Sequence, residues 1–264
     1  MKIGKLVGNM VEKKELKVLV IGESCDDVFI YGEVLRLSPE APVPVIKPLR
    51  ETYSKGMAEN VELNLKSLGV NTHLTCNSEE IVKIRYVDDS YNYILLRIDE
   101  NDKVSPLNLT ELPNLDDFDL VVFADYNKGF LSKSDIQEIS SKCNCPTFLD
   151  TKKKLGDWCK DVSFIKINYH EYLRSKTRID NNEWLKNKTI ITRGPNGCDF
   201  GGKNYPTKEV SVKDVAGAGD SFLAGLIFKY IHTYNIEESI EFANKCSTQV
   251  VQKRGVSIIN KSKL

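Results

Sequence analysis

The sequence predicts an α/β fold built on a mainly parallel central sheet, and three observations carry that expectation. Short apolar runs recur, each ending in Gly, Asp or Asn; helix-like segments lie between several of them; and two longer stretches with polar alternation and prolines break the rhythm. Strands that are apolar on both faces suit a parallel sheet covered on both sides, whereas a half-exposed sheet would alternate.

The strands are read at KVLVIG (17–22), DLVVFAD (119–125), PTFLD (146–150), SFIKIN (163–168) and KTIITRG (188–194). Helices are read at 57–68, where Gly69 stops the pattern, at 132–142 and 169–175, and as a pair at 217–232 and 236–252. Strands alternating with helices indicate a doubly wound sheet, in which ligands sit beyond the carboxyl ends of the strands. The two exceptions, APVPVIKPLRETY (41–53) and EIVKIRYVDDSYNYILLRIDE (80–100), read as extended strands of a small β-flap, with VDDSYNY (87–93) as a hairpin turn. No repeat or linker divides the chain, so one domain is expected over 1–264, with flap segments at about 28–53 and 80–100.

Composition narrows the function by exclusion. Lys+Arg and Asp+Glu balance at 37 each, so nothing global points to nucleic acid or an anionic membrane, and any anion recognition must be local. The seven cysteines, at 25, 76, 143, 145, 159, 198 and 246, lack C-x-x-C spacing and read as reduced thiols; no role is assigned to Cys143 and Cys145. The N-terminal stretch has no signal-peptide pattern and no segment reaches the ~18 apolar residues of a membrane span, so a cytoplasmic location is expected.

The stretch VKDVAGAGDSFLAGL (211–225) carries the chemistry. Gly217, Ala218 and Gly219 let the backbone turn tightly before an apolar helix whose first N–H groups lack partners. With the helix dipole, such a turn attracts a phosphate. Asp220 then stands where it could take the proton of an attacking hydroxyl; the alternative is an acidic residue that merely complements the dipole. The pattern is not a P-loop, because no Gly-Lys-Ser/Thr follows.

DVAGAGDSFLAGL resembles the C-terminal signature of the ribokinase/phosphofructokinase-B family of carbohydrate kinases, and the resemblance runs along nearly the whole chain. It implies a ribokinase-like three-layer sandwich with a β-flap as lid, ATP and Mg2+ as cofactors, Asp220 as catalytic base, and Gly217, Ala218 and Gly219 as the anion hole, with Asp214 nearby on the cofactor side. The family usually has Thr where this chain has Ala216. RLSPEAPVPV (36–45) is similar to the branch of that family acting on D-glycero-D-manno-heptose 7-phosphate, which implies Asp27 as a partner of sugar hydroxyls. A kinase for another sugar, and a binding protein that kept the fold, are the alternatives. No second domain follows in the sequence, so a separate enzyme is expected to activate the product.

The remaining stations follow from the same resemblance. SKGMAENVELNLKSLGV (54–70) is similar to the family's Gly-Gly-Ala-Ala-Asn segment, which implies Gly56 and Asn60 at the sugar, although Met57 and Glu59 replace the second glycine and an alanine. Between THLTCNSEE and VKIRY the chain passes directly to the flap where relatives usually carry a further helix and strand. Lys83, Arg85 and Arg97 on the flap are candidates for a phosphate already on the sugar, or else solvated strand residues. FADYNKGFLS (123–132) implies Asp125, Tyr126 and Lys128 at a strand end near the transferred group, and FLDTKKK (148–154) implies Asp150 and Lys152 beside them. Asn168 and Glu171 match the family's Asn-x-x-Glu, which implies Mg2+ and nucleotide phosphates organised largely through water. Thr192, Arg193, Gly197, Asn244 and Gly255 are implied on the nucleotide side, and pairing of flaps implies a homodimer.

Overall fold

The structure is a computed structural model that describes residues 16–264, so the N-terminal stretch at 1–15 lies outside the described residues. Lys17–Gly22 forms β1, Ser24–Leu37 β2 and Pro44–Gly56 β3, followed by α1 (Met57–Ser67) and β4 (Asn71–Thr75). The hairpin β5 (Val82–Asp88) and β6 (Tyr93–Glu100) comes next. Then β7 (Leu120–Asp125), α2 (Lys133–Lys142), β8 (Thr147–Thr151), β9 (Phe164–Asn168), α3 (Tyr169–Asp180) and a one-turn α4 (Glu183–Lys186) follow. β10 (Thr189–Thr192) and the short β11 (Cys198–Phe200) and β12 (Lys203–Tyr205) precede α5 (Ala218–Thr233) and α6 (Ile236–Val250).

The main sheet has the order β12-β11-β10-β9-β8-β7-β1-β4. It is parallel from β10 to β4, and β11 and β12 add antiparallel at one edge. Period-two alternation divides its side chains between two cores. Val18, Val20, Leu120 and Val122 pack with residues of α1, α5 and α6, while Leu19, Ile21, Val121 and Phe123 pack with α2 and α3. Helices therefore cover both faces, which is why these strands read as continuous apolar runs.

Helix ends follow their capping residues. Ser132 and Asp135 form a capping box at α2, and Asn168 and Glu171 form another at α3. α3 runs to Asp180, five residues beyond the expected end at 175, because TRID continues its buried face through Ile179. β4 is the edge of the sheet, and only residues 76–81 separate it from β5, as the abrupt passage in the sequence indicates.

A second sheet, β3-β2-β5-β6, forms the flap. β2 begins at Ser24, so Asp27 lies on a flap strand and not in a loop after β1. Pro48 sits at a register shift on edge strand β3, where a missing N–H costs little. On the inner face of the flap Lys83 and Arg85 are buried against the main body beside apolar Phe29, Tyr31 and Val87, while Leu96 and Ile98 on the opposite face are 54% and 36% exposed. Its tip is tied to the body. Asp89 receives Arg50 at 2.7 Å and Arg254 at 3.0 Å, and Asn92 donates to the Lys213 carbonyl at 2.7 Å.

Candidate active site

Asp220 occupies the third position of α5, buried at 6% exposure, and both of its oxygens are engaged. The Tyr126 hydroxyl donates to one, and Asn60 Nδ2 donates to the other at 2.8 Å. Asn60 is itself fixed by Asn64, whose amide donates to Asn60 Oδ1 at 3.0 Å. Burial raises the Asp220 pKa above the usual carboxylate value, opposed by the two hydrogen bonds and by the charge of Lys166. The result is a base aimed by two donors.

Tyr126 is presented by the turn after β7. A fully buried Glu23 accepts from the backbone N–H groups of Tyr126 at 2.7 Å, Lys128 at 2.9 Å and Phe130 at 3.2 Å, which holds that turn in shape. Burial, then the charge of Asp125, raises the Glu23 pKa. Burial and the charge of Asp220 keep the Tyr126 phenol protonated far above its ordinary range, so it stays a donor to the base.

Gly217 precedes α5 with φ at 74°, a left-handed conformation. A β-carbon there would stand 2.9 Å from Asn60 Nδ2, so the turn must be glycine if Asn60 is to reach Asp220. The anion hole is narrower than the sequence suggests: the Ala218 N–H turns back on the Val215 carbonyl at 3.2 Å, while among the described residues no protein acceptor meets those of Gly217 and Gly219. Lys166, on β9, points at the same turn, 3.0 Å from where a Gly219 β-carbon would stand. It is paired at 2.6 Å with Asp150, and both are almost wholly buried.

Two cavities meet at this centre. The larger, about 1100 Å³, runs along the carboxyl ends of β9 and β10 and over the start of α5. The smaller, about 330 Å³, lies under the flap, and the two share Tyr126, Lys152, Gly217 and Asp220. The larger is also lined by Asn168, Thr192, Arg193, Gly197 and Asn244, and the smaller by Asp27, Arg85, Arg97 and Lys128. Met57 lines the smaller cavity too, with φ at 57°: this methionine holds the left-handed backbone that a glycine would take without strain.

Seven expected contacts line neither cavity, each for a visible reason, Asp150 because it is buried against Lys166. Gly56 backs Asp27, whose Oδ2 would lie 2.2 Å from any β-carbon there. Asn60 supports Asp220 and does not face the sugar side. Asp125 is buried against the Lys153 ammonium, the Thr151 hydroxyl and the Asn127 N–H. Asp214 accepts from Ala216 N at 2.9 Å and Gly255 N at 3.0 Å, so it and Gly255 join the two loops behind the anion hole. Glu171 receives Lys152 Nζ at 2.6 Å, Asn168 N at 2.7 Å and Asn168 Nδ2 at 2.8 Å.

The state of Glu171 decides how a magnesium ion fits. Its carboxylate is occupied by protein donors, and among the described residues no group of three or more His, Cys, Asp or Glu converges. The donors fit an ion that keeps its water and is met through it, and they do not form an inner-sphere carboxylate cage. Lys166, Glu23 and Asn64 were not singled out from the sequence; the signal for Lys166 is a lone charge inside the apolar run SFIKIN.

A buried base beside a left-handed glycine turn, with a long cavity on one side and a small one on the other, defines a phosphotransferase of the ribokinase-like class. Residues 133–263, just under half of the chain, match the pfkB family carbohydrate kinase model. A curated relative, the bifunctional protein HldE of Helicobacter acinonychis, is 31% identical over 298 aligned positions, covering 92% of this chain and 64% of the relative. The chain thus spans less than two thirds of that relative's length. The alignment has more positions than this chain has residues, so the relative carries internal segments absent here. Among solved structures, Arabidopsis thaliana ribokinase complexed with ribose and ATP matches with a TM-score of 0.71 at 14% identity, covering 94% of this chain and 97% of that one. The nucleoside kinase of Methanocaldococcus jannaschii matches at 0.65 and 18%, covering 94% of each chain. At these identities the structures establish the shared fold.

Proposed function

We propose that this chain is an ATP- and Mg2+-dependent kinase that phosphorylates D-glycero-D-manno-heptose 7-phosphate at its anomeric hydroxyl. The product would be the 1,7-bisphosphate used for nucleotide-heptose and surface polysaccharide. The observation that carries the reading is the meeting of the two cavities at Asp220. ATP occupies the larger one with its γ-phosphate at Gly217 and Gly219, and the sugar occupies the smaller one under the flap. The attacking hydroxyl gives its proton to Asp220 while Tyr126 and Asn60 hold the carboxylate in line. Lys166 and the two N–H groups oppose the charge that develops on the transferring group. Magnesium, met through water near Asn168, would neutralise the phosphates of the nucleotide.

An ADP-release assay over a panel of sugar phosphates tests this. Turnover on heptose 7-phosphate is the expected result, and turnover confined to other sugars would replace the substrate while keeping the kinase. That second reading has one observation in its favour, the Met57 side chain in the wall of the sugar cavity.

A cytoplasmic location is part of the proposal; no helix among the described residues is long and apolar enough to cross a membrane. So is a homodimer through the flap, supported by exposed Ile94, Leu96 and Ile98 on β6 and by exposed Tyr53 on β3, the opposite edge of the same sheet. Burial of such side chains is worth about 1.5–3 kcal/mol each. Sedimentation should find a dimer at micromolar concentration, and Leu96→Glu should shift it to monomer with a dissociation constant raised by about 100-fold or more.

A further inference from the structure

The two donors that aim Asp220 come from segments far apart in the sequence, and both segments meet at one residue. Glu23 stands between β1 and β2, where the chain leaves the main sheet for the flap, and it is 0% exposed. Its carboxylate grips the turn that presents Tyr126: one oxygen accepts the Tyr126 N–H, the other those of Lys128 and Phe130. Left-handed backbone at Asn127 and Gly129 turns these N–H groups inward, as in the nests that receive anions. The Asn127 N–H between them goes to Asp125 at 3.0 Å. The Glu23 carbonyl in turn accepts from Ala58 N at 2.9 Å, in the same helical turn of α1 as Asn60. Gly22 makes this meeting possible: a β-carbon there would stand 2.0 Å from the Ala124 carbonyl oxygen, so only glycine lets β1 lie this close to β7.

A carboxylate buried beside a second one, here Asp125, is a costly way to close a turn. What Glu23 supplies over a neutral side chain is acceptors on both of its oxygens. Glutamine would set its NH2 against at least one of the three N–H groups, donor against donor, and aspartate would fall short by a methylene. We propose that Glu23 is a positioning residue for the catalytic base: it fixes the Tyr126 turn with its side chain and the start of α1 with its carbonyl, and so sets the two hydrogen bonds that hold Asp220 in line for proton transfer. The inference rests on the kinase reading above and deepens it. Glu23 lines neither cavity, so it acts through Tyr126 and Asn60 and not on the substrates.

The test compares the full chain as wild type, Glu23→Gln, Tyr126→Phe and the variant carrying both changes, with ADP release as one readout and an NMR titration of the Asp220 carboxyl carbon as the other. Glu23→Gln keeps the backbone carbonyl and its hold on Ala58, so the side chain's effect passes through Tyr126. It should lower kcat by about 10- to 100-fold, the cost of a misplaced catalytic group, while the KM for ATP stays within about twofold. The Asp220 titration should move to higher pH, in the direction of Tyr126→Phe, because a loosened Tyr126 hydrogen bond lowers the carboxyl pKa less. Lys166, Asp150 and Lys152, the other charged groups acting on Asp220, are the same in every variant. The double variant should be little slower than Tyr126→Phe, since both changes act on one hydrogen bond. Where Glu23→Gln does not fold, Glu23→Asp, which keeps the charge and loses reach, is scored in its place with the same signs and smaller effects. A purely structural role would lower the unfolding temperature and leave kcat per folded molecule and the Asp220 titration at wild-type values; that result, or losses that multiply in the double variant, overturns the proposal. If wild type releases no ADP with any sugar phosphate, the kinase reading fails, and the Asp220 titration alone decides the role of Glu23.

Discussion

Asp220→Asn is expected to lower kcat by about 10²–10⁴-fold, the usual contribution of a positioned general base, with the KM for ATP little changed. The variant keeps the size of the side chain but not its ability to take a proton. Its stability should change in a distinctive way with pH. Burial raises the Asp220 pKa in the folded state above its value in the unfolded chain, so the folded state holds this proton more tightly. That linkage stabilises the fold fully below the unfolded pKa and is lost as pH rises through the folded one. Wild type should therefore show a fall in unfolding free energy on the alkaline side of the ordinary carboxylate range that the asparagine variant lacks. A constant offset is expected as well, because the amide nitrogen must face either Asn60 Nδ2, donor against donor, or the Tyr126 hydroxyl, which then accepts where it donated to the carboxylate. Tyr126→Phe is the complementary variant. It removes a hydrogen bond that lowers the Asp220 pKa, so the acid limb of the kcat profile should move to higher pH while the plateau falls less than in Asp220→Asn. Equal plateaus in wild type and Asp220→Asn would end the case for Asp220 as base.

The strands of the main sheet were legible because burial on both faces leaves continuous apolar runs, and the flap because it does not. What the sequence could not supply is the partner of each polar residue. Asn60, Asp125 and Glu171 all read as ligand contacts from the family resemblance, and all three turn out to be engaged by protein groups. An asparagine one helical turn before Asn64 is equally able to meet a sugar or a carboxylate; only the packing of α1 against α5 aims it at Asp220. Met57 shows the converse. The residue departs from the glycine of the resembled segment, yet its backbone keeps the left-handed φ that glycine serves, so the chain path into α1 survives the substitution. The short elements α4, β11 and β12, of three or four residues each, are below the length at which periodicity can be read.

Lys166→Met should be the most damaging single substitution outside Asp220, and a second change should separate its two effects. The Lys166–Asp150 pair is buried on β9 and β8, and Asp150 Oδ1 has no hydrogen-bond partner beyond it. Deleting the ammonium alone strands a buried carboxylate, for which a loss of about 3–5 kcal/mol of stability is expected in denaturant unfolding. Replacing both members, as Lys166→Met with Asp150→Leu, removes the stranded charge and should recover most of that loss, since a buried ion pair and a packed apolar pair of similar volume are close in free energy. Activity should not follow stability. Lys166 faces the Gly219 turn where the transferring phosphoryl group would sit, so the double variant should fold and still show kcat reduced by about 10²–10³-fold, the usual cost of losing one preorganised group at a charge-developing centre. If the double variant regains both stability and kcat, Lys166 serves only to neutralise Asp150, and the charge at the anion hole comes from the Gly217 and Gly219 amides alone.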